Sequence, residues 1–488
     1  MVVGDAMAKK ITKKKNKKVT KVSRVIYGIL LLLSIIFFGI ILFLNIVPIK
    51  YLLFIVGYYF LYLLISFICQ CNLSMKIGIK YFFDGISFIL IVILLFGIFY
   101  MYKTINFMDV IGAKDYEIEN YYVVVLEDTY NSINDLDGES IGVYSNSNNY
   151  VSALNQLDKD IDFKEEVYDD FIDGVSSLLD GDISALFISQ THKEMAAEQF
   201  SSFDNLVTIL DTITIKVESE VLVKEVDITK DSFNIYISGI DVYGDIASVS
   251  RSDVNMIATT NPNTYEVLLT SIPRDYYVQL HGTTGYKDKL THAGIYGIDM
   301  SISTIEDLLD IDINYYIRVN FTTLISLVDS IGGIDIYSDK EFISYTNKSC
   351  KYELGNNHLD GKCALAFARE RYAYKEGDRH RVENQQAVIS AILNKTLSSK
   401  TLITKYTSVL KSLGSSFQTN IPQNQIYSLV NLQLDKMPSW NIDTYSLDGN
   451  NSRNYTYSYS GSKLYVMEPD YKTVVEASKL IDNIMEGE

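Results

Sequence analysis

The sequence contains no Cys-x-x-Cys pair, no Walker glycine loop and no Gly-x-Ser-x-Gly elbow. It therefore offers no zinc-ribbon ligand set, no phosphate cradle of the P-loop kind and no serine-hydrolase nucleophile. Prolines number six in 488 residues. There is no fixed-period repeat and no long low-complexity tract, which excludes solenoid architectures and extended disordered tethers. Histidine is also scarce, at five. His292, within Lys289-Leu-Thr-His-Ala-Gly294, has no second histidine beside it and reads as a hydrogen-bonded packing residue rather than a catalytic base.

What the chain does have is hydrocarbon near its start. It is 48% hydrophobic and 21% charged, but the apolar share is uneven. Val25 to Val47, Tyr51 to Cys69 and Ile86 to Met101 each approach the ~20 residues that cross a bilayer core of ~30 Å. Three such runs in succession predict three transmembrane helices. A cleaved signal peptide does not fit, because the first run is too long and a second follows at once. Residues 1–24 hold nine basic side chains, from Lys9 to Arg24, against Asp5 alone. Such flanks stay cytoplasmic, so the N-terminus is expected inside. Pro48 and Lys50 then mark an outer turn, and Lys76 and Lys80 the next inner loop. Everything after about Lys103 is expected outside the plasma membrane.

The charge balance agrees. The first 24 residues net +8 and the whole chain −17, leaving −25 for the rest. An acidic exterior is a poor match to nucleic acid, and no such partner is expected. Contact with anionic lipid accounts for the basic tail. Cys69 and Cys71 sit at the inner membrane edge. Cys350 and Cys363 lie in an oxidising setting where pairing is allowed, but sequence alone does not bring two Cα atoms within reach.

Beyond the helices, strand-like and helix-like runs alternate. Tyr122 to Leu126, Ile141 to Val143 and Ile183 to Ser189 read as strands, and Phe171 to Leu179 as a helix ended by Gly181. Residues 111–230 are thus expected to form an accessory α/β domain, after a basic tail at 1–24 and the anchor at 25–103. In 231–488, Phe233 to Ile237, Val254 to Thr259 and Tyr265 to Ser271 read as strands, the last two joined by the turn Asn261-Pro-Asn263. Ser301 to Leu309, Leu324 to Ile331 and Val382 to Lys395 read as helices. This order predicts an α/β/α sandwich on a mixed sheet.

Five clusters set charge beside an apolar strand: Gly239-Ile-Asp241, Arg251-Ser-Asp253, Pro273-Arg274-Asp275, Arg369-Glu-Arg371 and Gly377-Asp378-x-x-Arg381-x-x-x-Gln385. Arg251 and Asp253 share a face of an extended chain. So do Arg369 and Arg371, with Leu365 and Phe367, if that segment is a strand. Arg381 and Gln385 meet on one side of a helix. Any one cluster alone is more often a surface ion pair. Together they describe guanidinium forks for phosphate oxygens, carboxylates for a divalent cation, and an apolar face for a ligand with a greasy side. A lipid pyrophosphate meets all three demands.

These clusters, with Lys289-Leu-Thr-His-Ala-Gly294, Ile331-Gly-Gly-Ile334, Leu359-Asp-Gly361 and Tyr465-Val-Met-Glu-Pro469, are collinear with the LytR-CpsA-Psr family, which the stretch from about Phe233 to Leu393 resembles. The three-span anchor and accessory domain resemble its CpsA branch. The resemblance implies an enzyme that binds a polyprenyl pyrophosphate-linked glycan in an apolar channel. It would transfer the phosphoglycan, capsular or teichoic-acid-like, to peptidoglycan. By position, Asp241 and Asp253 would hold magnesium or manganese. Arg274, Arg369, Arg371 and Gln385 would bind the pyrophosphate together with Lys289, and Arg251, Asp378 and Arg381 would complete the site. The acceptor's base stays open. Two other readings remain at this stage: a membrane-bound regulator, and a non-catalytic polyprenyl-phosphate-binding protein.

Overall fold

The computed structural model describes residues 2–44, 49–111, 116–144, 148–200, 202–218, 224–240, 246–375, 377–398, 417–459 and 461–487. Val47, Pro48 and Asp241 lie outside the described residues. The chain divides into two compact units. One holds the residues up to Val110 with Pro422–Pro438, and the other holds Ile111 onward apart from the segments grouped with the first.

The first unit contains helices α1 (Val2–Leu44), α2 (Ile49–Cys71) and α3 (Ile77–Ile111). Windows at Asn16–Phe43, Ile49–Cys71 and Ile77–Tyr102 are long and apolar enough to cross a membrane. They form a membrane anchor whose helices meet at Leu30, Leu63 and Leu94. The third span starts nine residues before the Ile86 expected from hydropathy, and Lys80 is not in a loop. Its ammonium is buried in the bundle, donating to Asn16 Oδ1 at 2.8 Å and to Thr20. One turn on, Asp84 accepts from Ser23 (2.8 Å) and Gln70 (3.0 Å). Inside a bilayer an ionisable group persists only with such partners, and these partners let α3 begin before its first charge.

In the second unit, residues 116–218 build a five-stranded sheet. Its elements are β1 (Tyr116–Leu126), β2 (Ser140–Val143), α4 (Asn148–Asp160), β3 (Lys164–Val167), α5 (Phe171–Asp180), β4 (Ala185–Ser189), α6 (Gln190–Gln199) and β5 (Val207–Glu218). The order is β3-β2-β4-β1-β5, parallel on the β2 side and antiparallel around β1. Asp170 caps α5 by accepting from Ile172 N, and Gly181, left-handed at φ 78°, ends it.

A larger six-stranded sheet follows. It comprises β6 (Phe233–Ile240), β7 (Ser252–Asn261), β8 (Glu266–Ile272), β9 (Tyr315–Val319), β10 (Phe417–Thr419) and β11 (Asn441–Ser446), in the order β10-β9-β6-β7-β8-β11. β6–β7–β8 is an antiparallel meander, and β9 and β11 add in parallel. Successive side chains point to opposite faces. Tyr236, Ile257 and Leu268 pack against α7 (Ile298–Leu309) and the C-terminal helix Tyr471–Glu486. Ile237, Met256, Ala258, Val267 and Leu269 meet Ile389 and Leu393 of a helix at Asp378–Leu397. Helices on both faces of a mixed sheet make this the expected α/β/α sandwich. Two further helices, α8 (Phe321–Ile331) and α9 (Gly361–Ala368), precede that last one, here α10.

The Leu365–Arg371 stretch is not a strand. Asp360 caps α9 by accepting from Cys363 N at 2.8 Å, and Gly361 abuts α8, where a Cβ would lie 2.3 Å from the Ile325 carbonyl. Cys350 and Cys363 are bonded, with Cα atoms 5.4 Å apart. The bridge ties the preceding loop to α9, whose C-terminal end carries the two arginines. Chain entropy assigns such a closure about 3 kcal/mol. The doubly substituted Cys350→Ser, Cys363→Ser chain should melt several degrees lower than wild type. An unchanged melting temperature would show that the bridge does not restrain this region.

Candidate functional site

Strand ends set the site. β6 and β9 run parallel, and the cavity opens at their C-terminal ends, beside the start of β7 and the end of β8, the usual location for sites in open α/β sheets. It has a volume of about 750 Å³ and is lined by Arg251, Asp253, Arg274, Asp275, Lys289, Arg369, Arg371, Asp378, Arg381 and Gln385. Every site residue expected from the sequence is therefore gathered here except Asp241, which lies outside the described residues.

The polar floor is a chain of ion pairs. Arg274 Nη1 donates to Asp253 Oδ2 at 2.6 Å, and Thr291 Oγ1 lies 3.2 Å from Asp253 Oδ1. Asp275 Oδ1 lies 3.3 Å from Lys289 Nζ and 3.9 Å from Arg274 Nε. These four charged side chains are at most 15% exposed. The turn carrying Thr291 reaches Asp253 because Gly294 passes close to β7: a Cβ there would sit 2.6 Å from the Ser250 carbonyl. His292 does not line this cavity. It is fully buried, with Nδ1 hydrogen-bonded to Asp288 Oδ1 at 2.6 Å, as a packing residue should be.

Helices supply the opposite side. Asp378, Arg381 and Gln385 lie on one face of α10, and Arg381 bonds Asp378 at 2.8 Å. Val388 and Ile389 continue that face into apolar wall, joined by Phe321 and Leu324 of α8 and Leu365 of α9. Arg369 lies over the Phe321 ring, 4.2 Å from its centroid. Arg369 and Arg371 both line the cavity, though not through strand alternation. The chain turns after α9, and the residue between them is held inward.

That residue, Glu370, was not singled out from the sequence. It is fully buried, and its carboxylate accepts three backbone N–H groups: Tyr345 (2.8 Å), Tyr372 (2.9 Å) and Ala373 (3.1 Å). Arg453 and Tyr465 also line the cavity. Burial, then the Asp275 and Asp378 carboxylates, push the Tyr465 phenol above its ordinary pKa, so it stays protonated at neutral pH.

Among the described residues the cavity lining holds seven cationic side chains against three carboxylates, in a chain of net charge −17. Such a surplus selects an anion, and guanidinium forks suit phosphate oxygens. The apolar walls of α8, α9 and α10 suit a hydrocarbon attached to it. Among the described residues no group of three or more His, Cys, Asp or Glu is placed to hold a metal. Magnesium demands less than that, needing one or two carboxylates beside substrate phosphates, and Asp253 at the cavity fits that demand.

Comparison with known proteins follows the same residues. The LytR-CpsA-Psr family model matches residues 200–473. The polyisoprenyl-teichoic acid–peptidoglycan teichoic acid transferase TagU of Bacillus cereus strain AH820 is 38% identical over 197 residues, 40% of this chain and 63% of that protein. The protein of the same name from Enterococcus faecalis strain V583 is 34% identical over 195 residues, 39% of this chain and 62% of that one. The chain thus spans less than two thirds of the length of these curated relatives. Among solved structures, B. subtilis TagV superposes with a TM-score of 0.45 at 29% identity, over 53% of this chain and 98% of that one. TagT bound to LIIa-WTA does so at 0.45 and 27%, over 55% and 97%.

Glu370 makes a separate test of how the arginines are held. Replacing it with Ala removes the acceptor of three part-buried backbone N–H groups, and a hydrogen bond to a charged group contributes about 1.5–3 kcal/mol. Glu370→Ala should lower the denaturation midpoint, although Glu370 does not line the cavity. Glu370→Gln, which keeps an acceptor oxygen, should fall between. Wild-type stability in the alanine variant would show that the clamp carries no load.

Proposed function

The chain belongs to the LytR-CpsA-Psr family, and from that premise we propose that it transfers a phosphate-linked glycopolymer from a polyprenyl pyrophosphate carrier to peptidoglycan. The observation that carries this reading is the continuity of one cavity, cationic at the sheet edge and apolar along α8, α9 and α10. Few ligands other than a lipid pyrophosphate use both parts. The names of the relatives favour a teichoic-acid-type polymer over a capsular one. The basic N-terminal flank favours a catalytic unit outside the plasma membrane, where peptidoglycan is the acceptor.

In this mechanism Arg274, Lys289, Arg369, Arg371, Arg381 and Gln385 hold the pyrophosphate, and the lipid lies along the apolar wall. An acceptor hydroxyl attacks the phosphorus that bears the glycan. The new P–O bond forms as the bond to the lipid phosphate breaks, and polyprenyl phosphate leaves with the electron pair. The arginines stabilise the charge that spreads over the transferring group, the main lever in phosphoryl transfer. Asp253, with Asp241, would hold a magnesium ion that neutralises phosphate charge. The acceptor's proton passes to a cavity carboxylate. Asp378, 39% exposed and paired with Arg381, is more open than Asp253 or Asp275, each 15% exposed.

Losing one charge-assisted contact to a buried phosphate costs about 1.5–3 kcal/mol, a tenfold to hundredfold weakening. Arg371→Ala should bind lipid pyrophosphate that much more weakly at any magnesium concentration. Asp253→Asn should keep most lipid binding but lose the magnesium dependence of turnover. Wild-type affinity and rate in Arg371→Ala would overturn this assignment.

A further inference from the structure

The smaller sheet is joined to the larger one at the site itself. Ile118 of β1 bridges Ser248, its N–H bonding the Ala247 carbonyl (2.8 Å) and its carbonyl receiving Val249 N (2.7 Å). Arg251 follows three residues after Ser248. Glu117 pairs with Arg318 of β9 at 2.7 Å, both almost fully buried. Phe171 and Met195 share a core with Tyr459 and Leu464, and Leu464 also lines the cavity. Helix α6 therefore has a fixed position at the edge of the site. Its Glu194 Oε2 lies 3.5 Å from Arg251 Nε. Gln199, exposed at its last residue, lines the cavity beside Leu464.

Resting on the functional reading above, we propose that α6 is one wall of the substrate site, with Gln199 contacting the glycan and Glu194 positioning Arg251. The lipid takes the apolar side formed by α8, α9 and α10. The sugars must then leave by the polar side, where Gln199, Arg453 and Tyr465 stand. A carboxamide offers two donors and an acceptor, which suits sugar hydroxyls and does nothing for an isoprenoid. The smaller sheet would thus help choose the glycan without handling the lipid.

Two probes separate the parts: a polyprenyl pyrophosphate without sugar, and the same carrier bearing a disaccharide. Gln199→Ala in the full chain should weaken the disaccharide-bearing probe about threefold to tenfold, as expected for neutral hydrogen bonds, and leave the bare carrier unchanged. Equal losses on both probes, or none on either, would overturn the role of Gln199. If wild type fails to bind the bare carrier, the functional reading falls and this inference with it. For Glu194, kcat/KM is measured for Glu194→Gln, Arg251→Ala and the double variant. Loss of the Glu194 effect in the Arg251→Ala background supports positioning, whereas additive losses contradict it.

Discussion

Among the described residues seven cationic side chains share one cavity, and their repulsion must be held in check before any ligand arrives. The chain of contacts from Thr291 through Asp253, Arg274 and Asp275 to Lys289 does this. Each lining carboxylate touches a cation and Glu194 lies beside Arg251, yet among the described residues the cations still outnumber the carboxylates. The pairs are desolvated, so removing one member would leave a buried charge uncompensated, which is more costly than never having built the pair. An anionic ligand of the kind proposed would add negative charge that the described lining lacks.

The same economy explains how the arginines after α9 are placed. They sit on a turn, where side chains are mobile unless something else is fixed. Glu370 fixes the turn from inside with three backbone hydrogen bonds, and the Cys350–Cys363 bridge restrains the segment upstream. α10 follows the turn, its first turns lining the charged part of the cavity and its later ones packing on the sheet. One rigid helix thereby couples the anion site to the hydrocarbon wall.

Much of this is legible in the sequence, and the failures have physical causes. Period-2 and helical patterns located the meander and the main helices, because both sheet faces are covered and their apolar runs are strong. The clusters Arg251–Asp253 and Arg274–Asp275 fell beside strand ends, where sites assemble, while Arg369–Arg371 and Asp378–Gln385 fell at the end of α9 and on α10. Leu365–Phe367 misled because a short apolar run has no decisive period; Asp360 before Gly361, a helix cap, was the available signal. Lys80 was read as a loop residue because hydropathy cannot see Asn16 and Thr20 satisfying it from another helix. Glu370 was hidden between two residues of more obvious purpose. Glu194 and Gln199 were invisible, since no local pattern shows that a helix from one sheet reaches the site of another.

The ligand proposed for this cavity is a phosphorylated polyprenyl chain. Native mass spectrometry of the full-length chain, extracted in mild detergent, tests it most directly. An adduct with the mass of one polyprenyl phosphate or pyrophosphate per chain is expected. A protein carrying only bulk phospholipid, with no polyprenyl species even after the carrier is added, would contradict it.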